Sequence, residues 1–355
     1  MGKMEIKDRV VIIGGGLSGL YLAYLLGQKG IHALILEASS RLGGRIQTIK
    51  GKNETPLELG ATWFSDIHQN LLSLIDELGL VKYPQFSKGI SFFKTKSFEP
   101  AQQFFVPEAE EPSYRLAGGT QALIDALSGQ LDPKNIHLHV KVTAIKELDH
   151  ELIIETAGGQ QFEADKVIVC MPPQLAISSI QYAPELEEEV GHVFSNVQTW
   201  MSGSIKFVLE FEEAFWRENG QSGMLYSHTG IVSEMYDHSN FEDDKFGFTG
   251  FLSGGAASYT QEARKELVLQ QLHELFGDRI LNPLSYFDKV WTDEFISGAN
   301  QIIQRPHQNN GHKLLQESYL SGRLYFSATE TSSNYPGYME GAIHSSIRVL
   351  KDMLK

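Results

Sequence analysis

Residues 9–13 (RVVII) form a short apolar run rich in β-branched side chains, and Gly14-Gly15-Gly16-Leu17-Ser18-Gly19 follows at once. The run predicts a buried parallel strand. The stretch from Leu20 to Leu26 predicts a helix ending near Gly27 or Gly30, and 33–37 (ALILE) predicts a second strand that closes on Glu37. Strand, GxGxxG, helix, strand and acidic residue in this order point to a dinucleotide site rather than to a purely structural glycine turn. Gly14 permits the tight turn, Gly16 lets the backbone approach a pyrophosphate, and Gly19 lets the helix pack closely on the sheet. The helix N-terminus, from Leu17 and Ser18 onward, then offers free N–H groups and a positive dipole end to phosphates. Ser18 is no hydrolase nucleophile, because Leu20 stands where a G-x-S-x-G elbow needs glycine. The Glu37 carboxylate can accept from both hydroxyls of a ribose, and it would repel the 2′-phosphate of NADP. It does not separate NAD from FAD.

Ala38-Ser39-Ser40-Arg41-Leu42-Gly43-Gly44-Arg45 comes next. Glycines let a backbone pass close to a cofactor, and arginines can neutralise a diphosphate. On chemistry alone, a surface loop with two solvated arginines remains open. The stretch EASSRLGGRIQT resembles the second dinucleotide motif of the flavin-containing amine oxidases and of their relatives, which include polyamine oxidases, L-amino-acid oxidases, protoporphyrinogen oxidases and phytoene desaturases. Leu57-Glu58-Leu59-Gly60-Ala61-Thr62-Trp63 resembles the family segment beside the isoalloxazine, and 70–80 an amphipathic helix that follows it. Near the C-terminus, Arg323-Leu324-Tyr325-Phe326-Ser327-Ala328-Thr329-Glu330 reads as a strand and turn. Tyr335-Pro336-Gly337-Tyr338-Met339-Glu340-Gly341-Ala342 then opens a last helix. The resemblance implies that Glu330 lies near the FAD diphosphate or ribityl. It also implies that the Met339 N–H and the helix dipole face the flavin N1–C2=O edge, where a positive end stabilises the anionic reduced flavin. Gly337, Tyr338 and Ala342 belong to the same cofactor-binding motif. Ala328 departs from the glycine usual before the Thr-Glu pair.

The middle of the chain supplies further strands. Residues 114–121 resemble the family's return to the nucleotide-binding part, with a helix over 122–127. The alternating run 137–145 reads as one strand, in which Val142 either meets the adenine, as the resemblance implies, or serves only the sheet. Residues 165–173 read as a buried strand stopped by Pro172-Pro173, with Cys170 a small core residue. Within 198–211, Ile205, Phe207, Leu209 and Phe211 share one face and Lys206, Val208 and Glu210 the other. Lys206 thus points to solvent or into a cavity. The Glu212-Glu213-Ala214-Phe215-Trp216 that follows resembles the family, in which the lysine of this strand holds a water at flavin N5. Residues 246–252 continue the sheet and 262–276 form an amphipathic helix. Trp291 opens a stretch resembling the family's W-x(5)-S/A-x-G/A. Some members carry a flavin-linked cysteine where this chain has Asn300, so the resemblance implies non-covalent FAD. Gln301 stands where monoamine oxidases have a tyrosine that forms, with the residue matching Tyr338, a two-walled aromatic cage for the amine. One wall remains, and a glutamine suits a more polar substrate.

At 355 residues the chain suits two domains. The expected fold is α/β. It comprises a Rossmann-type FAD-binding domain with a parallel sheet (1–80, 114–185, 292–355) and a mixed-sheet α+β substrate-binding domain inserted in two segments (81–113, 186–291). The net charge of -14 disfavours nucleic acid, and the single cysteine excludes an internal disulfide. No stretch approaches the ~20 apolar residues of a membrane span, and no signal peptide is visible, so a cytoplasmic location is expected. The 12 histidines are scattered without an HExxH pattern, so no metal is expected. Oligomeric state leaves no mark on the sequence. The reaction implied by the resemblance is hydride transfer from the α-carbon of a neutral amine to flavin N5. Oxygen is the acceptor and hydrogen peroxide and a hydrolysable imine the products, with Lys206, Tyr338 and Gln301 at the reacting end. Alternatives are a desaturase or dehydrogenase of the same superfamily and a non-catalytic FAD-binding redox protein. A nicotinamide-linked reductase lacks a second GxGxxG.

Overall fold

The computed structural model describes residues 9–291 and 307–355. Five parallel strands form the central sheet in the order Leu324–Phe326, Lys166–Val169, Val10–Ile13, Ala33–Leu36, Ile136–His137. Alternate side chains of these strands enter two different cores, as the two-residue period of a strand requires. Val10, Ile12, Ile35 and Ile168 pack beneath the helices Leu17–Gln28, Gln69–Glu77, Gln121–Gly129 and Met339–Met353. Val11, Ile13, Leu36, Val167 and Val169 pack on the other face. Their cover is a four-stranded sheet, comprising Val142–Leu148, Glu151–Thr156, Gln161–Ala164 and Gln181–Ala183, together with the helix Glu188–Ser195. All four residues of Val10–Ile13 are buried, each apolar side chain contributing about 1.5–3 kcal/mol.

Two expectations need correction. The run 137–145 is not one strand: Ile136–His137 ends the parallel sheet, and Val142–Leu148 belongs to the four-stranded one. His139 takes a left-handed φ of 61° between them. Its N–H donates to the Ser39 carbonyl at 3.1 Å, and the Val140 N–H donates to the Glu37 carbonyl at 2.9 Å. Bonding to the loop after the second strand thus outweighs continuing the alternation. The strand read over 165–173 ends at Val169, and Pro173 opens the helix Pro173–Ser179. The first helical turn leaves its N–H groups unpaired, so proline is accommodated there.

The third large sheet has seven strands, ordered Ser285–Val290, Ile205–Phe211, Phe246–Leu252, Val232–Asp237, Gln221–Ser227, Gly89–Lys94, Gln102–Val106. Phe207, Leu209, Phe248 and Met235 on one face meet Val268 and Leu272 of the helix Gln261–Phe276. The opposite face turns toward the parallel sheet, and there Leu57 and Leu59 pack on Val208. Glu210 ties the same contact, accepting the N–H groups of Lys52 at 2.6 Å and Asn53 at 3.0 Å. Among the described residues no helix is long and apolar enough to cross a membrane.

Candidate active site

A cavity of about 850 Å³ runs from the glycine turn to the inner face of the seven-stranded sheet. Three glycines shape its near end in different ways. Gly14 has φ 110°, and a Cβ there would stand 2.6 Å from the Cys170 carbonyl oxygen. A Cβ on Gly19 would overlap the Gly14 carbonyl, so this glycine sets the helix against the strand and does not line the cavity. A Cβ on Gly16 would approach only Gly44 Cα at 3.9 Å and Gly43 O at 4.0 Å, so it would project into the opening. Gly43 seals the turn by donating its N–H to the Gly15 carbonyl at 2.8 Å. Leu17, Ser18, Ala38, Gly44 and Val142 complete this end of the wall. The Ser18 hydroxyl is engaged, donating to the Ser327 carbonyl at 2.7 Å.

The charged residues of the nucleotide loops divide the work. Glu37 lines the cavity while accepting the Gly15 N–H at 2.6 Å and the Ser39 N–H at 2.8 Å, one on each oxygen. Arg41 also lines it, but its guanidinium donates to the carbonyls of Leu42 at 3.1 Å, Gly44 at 2.5 Å and Ile46 at 2.8 Å. It braces its own loop. Arg45 makes a two-pronged pair with Glu330, at 2.6 and 3.1 Å. Glu330 is fully buried and does not line the cavity; it lies behind Arg45 and sets that side chain.

At the far end stand Gly60, Ala61, Thr62, Trp63, Lys206 and Trp291. The whole strand Ile205–Phe211 is buried, which decides the two options for Lys206: it enters the cavity. Its ammonium donates to the Gly60 carbonyl at 2.8 Å and to the Thr62 hydroxyl, and it lies 4.8 Å from the centre of the Trp63 ring. Burial pushes its pKa down to about 7, against the pull of Glu58 and Glu234. Glu58 is buried behind this end, with one oxygen accepting the Thr120 N–H. Its carboxyl is pushed up by burial, opposed first by the charge of Lys206. The Trp291 indole N–H donates to the Leu59 carbonyl at 2.7 Å, and Lys289 lies 3.8 Å from the centre of the Trp291 ring. Gly337, Tyr338, Met339 and Ala342 form the facing wall, where the last helix begins at Met339. Gln301 and Asn300 lie outside the described residues.

Sequence reasoning missed several wall residues. Cys170, distant in sequence from the other motifs, lies on the cavity wall beside Gly14, and burial pushes its thiol up to about 12. Trp200 faces Tyr338 with ring centres 6.5 Å apart and planes 27° apart, and His307 stacks on Trp200 at 4.7 Å. Phe251, Glu234 and Lys289 reach the cavity from strands paired around Lys206. Only the strand register identifies them; no local pattern marks them.

These residues fit a flavin dinucleotide. The wall is bare of side chain at Gly16, a carboxylate stands where a ribose would lie, a helix N-terminus opens at each end, and the far end is aromatic. A parallel sheet with this turn, facing a mixed sheet across one long cavity, defines a dinucleotide-dependent oxidoreductase. The chain belongs to the flavin-containing amine oxidoreductase family, whose model matches residues 17–101 and 95–354. It is therefore an FAD-dependent oxidoreductase of the amine oxidase type. A probable flavin-containing monoamine oxidase A of Dictyostelium discoideum is 24% identical, with 97% of each chain covered. The flavin-containing amine oxidase A of Canis lupus familiaris is also 24% identical, covering 97% of this chain and 84% of its own. A putrescine oxidase bound to putrescine superposes with a TM-score of 0.84 at 21% identity, covering 98% of this chain and 99% of its own. A cyclohexylamine oxidase from Brevibacterium oxydans gives 0.84 at 18% identity, covering 98% and 100%. At these identities the solved structures establish the fold.

Proposed function

We propose that the protein oxidises the C–N bond of an amine, using non-covalently held FAD and oxygen, to give an imine and hydrogen peroxide. The imine then takes up water to release an aldehyde or ketone and the amine or ammonia. The observation that carries this reading is Lys206, fully inside the cavity and fixed between the Gly60 carbonyl and the Thr62 hydroxyl. When bound, the flavin accepts the hydride from the α-carbon. The chain's own part is to orient and to exclude water. Gly16, Glu37, Gly43, Gly44 and Arg45 would hold the dinucleotide, with Arg45 aimed by Glu330. Gly60 to Trp63, Trp291 and Met339, which line the far part of the cavity, would receive the reacting ring. Tyr338 and Trp200 offer ring faces to the amine, and the resemblance alone gives Gln301 the role of the second cage position. Lys206, with a pKa near 7, disfavours a second positive charge close by and so favours the neutral amine; it also holds the water used in oxygen reaction or imine hydrolysis.

Two features support a dissociable cofactor. Asn300 stands where flavin-linked members have cysteine, and Cys170 lies at the glycine-turn end with a thiol that burial keeps protonated. The division into an FAD-binding part (1–80, 114–185, 292–355) and a substrate part (81–113, 186–291) belongs to the same proposal. The parallel sheet takes its strands from the first set and the seven-stranded sheet from the second. A cytoplasmic location completes the reading, consistent with the single cysteine.

The test is the visible spectrum before and after acid precipitation, followed by peroxide release from a panel of amines. Flavin colour that moves to the supernatant, with peroxide formed from at least one amine, is the expected result. Colour retained in the pellet would overturn the non-covalent cofactor. A flavin-loaded protein inert to every amine would overturn the reaction.

A further inference from the structure

A cluster of charged side chains lies buried behind the wall that Lys206 enters. Glu58 ends the short strand Pro56–Glu58, two residues before the Gly60 carbonyl that accepts the Lys206 ammonium. Arg115, in the strand Tyr114–Leu116, and His238 are buried beside it, and none of the three lines the cavity. One oxygen of Glu58 accepts the Thr120 N–H. The other, Oε2, is buried without a hydrogen bond among the described residues. An ionised carboxylate in such a place is costly unless cations stand near it.

Arg115 is one such cation. It donates to the Ser239 carbonyl at 2.8 Å, and its guanidinium lies 5.1 Å from the centre of the Tyr83 ring. A guanidinium does not release its proton, so Arg115 needs an anion nearby. Asp237, which accepts the Ser239 N–H, is already paired with Arg217 at 2.8 Å. His238 supplies no charge. The Glu58 N–H at 3.1 Å and the Arg115 guanidinium at 3.3 Å both meet its Nε2, which must accept, and burial pushes its pKa down. Lys206 is the second cation, and the other charged groups that face it do not replace Glu58. Lys289, opposite Lys206 on the strand Ser285–Val290, is itself a cation and donates to Gln47 at 2.8 Å. Phe251, opposite on the other side, is uncharged, and Glu234 stands one strand further away. The pull of Glu234 on Lys206 is weaker than that of Glu58. Two buried cations thus share one carboxylate, and only the lysine can respond by losing a proton.

We propose that Glu58 is a positioning residue that governs, from behind the cavity wall, whether Lys206 carries a proton, and that Arg115 competes for the same carboxylate. The carboxylate keeps the proton on Lys206 and the guanidinium drives it off. Their balance sets the pH at which the reaction end of the cavity changes charge. The consequence for turnover rests on the amine-oxidising reading above; the titration of Lys206 does not.

The test places an NMR-active carbon at Cε of the lysines in the flavin-loaded protein and follows the Lys206 signal against pH. Its loss in Lys206→Met assigns the signal. The wild-type midpoint is expected at about 7. Glu58→Gln keeps the shape and an acceptor for Thr120, and it should lower the midpoint by about one pH unit or more. Glu58→Asp, which keeps the charge, should restore most of that shift. Arg115→Met added to Glu58→Gln should raise the midpoint again, because the repelling cation is gone. The limb of the pH–rate profile for peroxide release should move with the midpoint. A midpoint that Glu58→Gln leaves in place, or that Glu234→Gln moves further than Glu58→Gln does, overturns the proposal. Glu58→Gln leaves Arg115 without its counter-charge, and a lost flavin spectrum would show that this variant does not fold. The comparison is then between Arg115→Met and Arg115→Met/Glu58→Gln: a lower midpoint in the second supports the proposal, and equal midpoints overturn it. If no amine is oxidised, the amine-oxidase reading fails, and the NMR midpoints still decide the role of Glu58.

Discussion

Lys206 sits where water cannot solvate its charge, and that fact has a pH signature. An unfolded chain holds the lysine proton up to about 10.5, whereas the folded one holds it only to about 7. Between these values unfolding takes up a proton, so this residue makes stability rise with pH across the window. The gain in melting temperature of wild type relative to Lys206→Met should therefore grow from pH 7 to pH 10. The same variant should lower oxygen-dependent turnover on the order of 10²-fold and erase a limb of the pH–rate profile near 7. A limb that survives the substitution would belong to another group. Glu330 acts by a different route. It touches the cavity only through Arg45, which it grips with both oxygens. Glu330→Gln should cost about 2 kcal/mol in denaturant unfolding, less than a fully buried pair because Arg45 keeps 28% side-chain exposure. It should also loosen flavin retention, measured by dialysis. Unchanged retention would mean that Arg45 needs no aiming.

The glycine turn shows how one local motif carries separable tasks. A methyl at Gly19 overlaps the Gly14 carbonyl, whereas a methyl at Gly16 meets almost no protein. Gly19→Ala should therefore damage the fold itself, by about 1–3 kcal/mol. Gly16→Ala should leave the melting temperature of the flavin-free protein near that of wild type while weakening FAD at least about tenfold, through loss of close backbone approach. Titration with FAD and melting of the flavin-free variants separate the two. If both variants lose only flavin, the packing argument for Gly19 fails. Other elements were legible for the same local reason. The strand Phe246–Leu252 falls on its expected bounds and the helix Gln261–Phe276 within one residue of them. The run 137–145 did not, since alternation cannot register that His139 turns left-handed to let the chain bond to Ser39 and Glu37.

At the scale of the whole molecule, the cavity lies between two sheets whose strands come from interleaved parts of the chain. A ligand that fills it bridges both, so removing flavin should lower the melting temperature, and adding FAD at 1,000 times its Kd should restore about 4 kcal/mol. An unchanged melting temperature on stripping would place the cofactor elsewhere. The sequence by itself determined the nucleotide turn, the alternation around Lys206 and the start of the last helix. Each is a short stretch whose backbone geometry depends on the residues within it: glycine where a side chain cannot fit, β-branched residues in a buried strand, a period of two along the strand. Only the tertiary structure decided which way Lys206 points, that Glu330 serves Arg45, that Cys170 reaches the cavity wall, and that Trp200 faces Tyr338. It also decided that Glu234 stands in line with Lys206. These depend on strand register and on the packing of two sheets, and the contacts that set register join residues far apart in the chain.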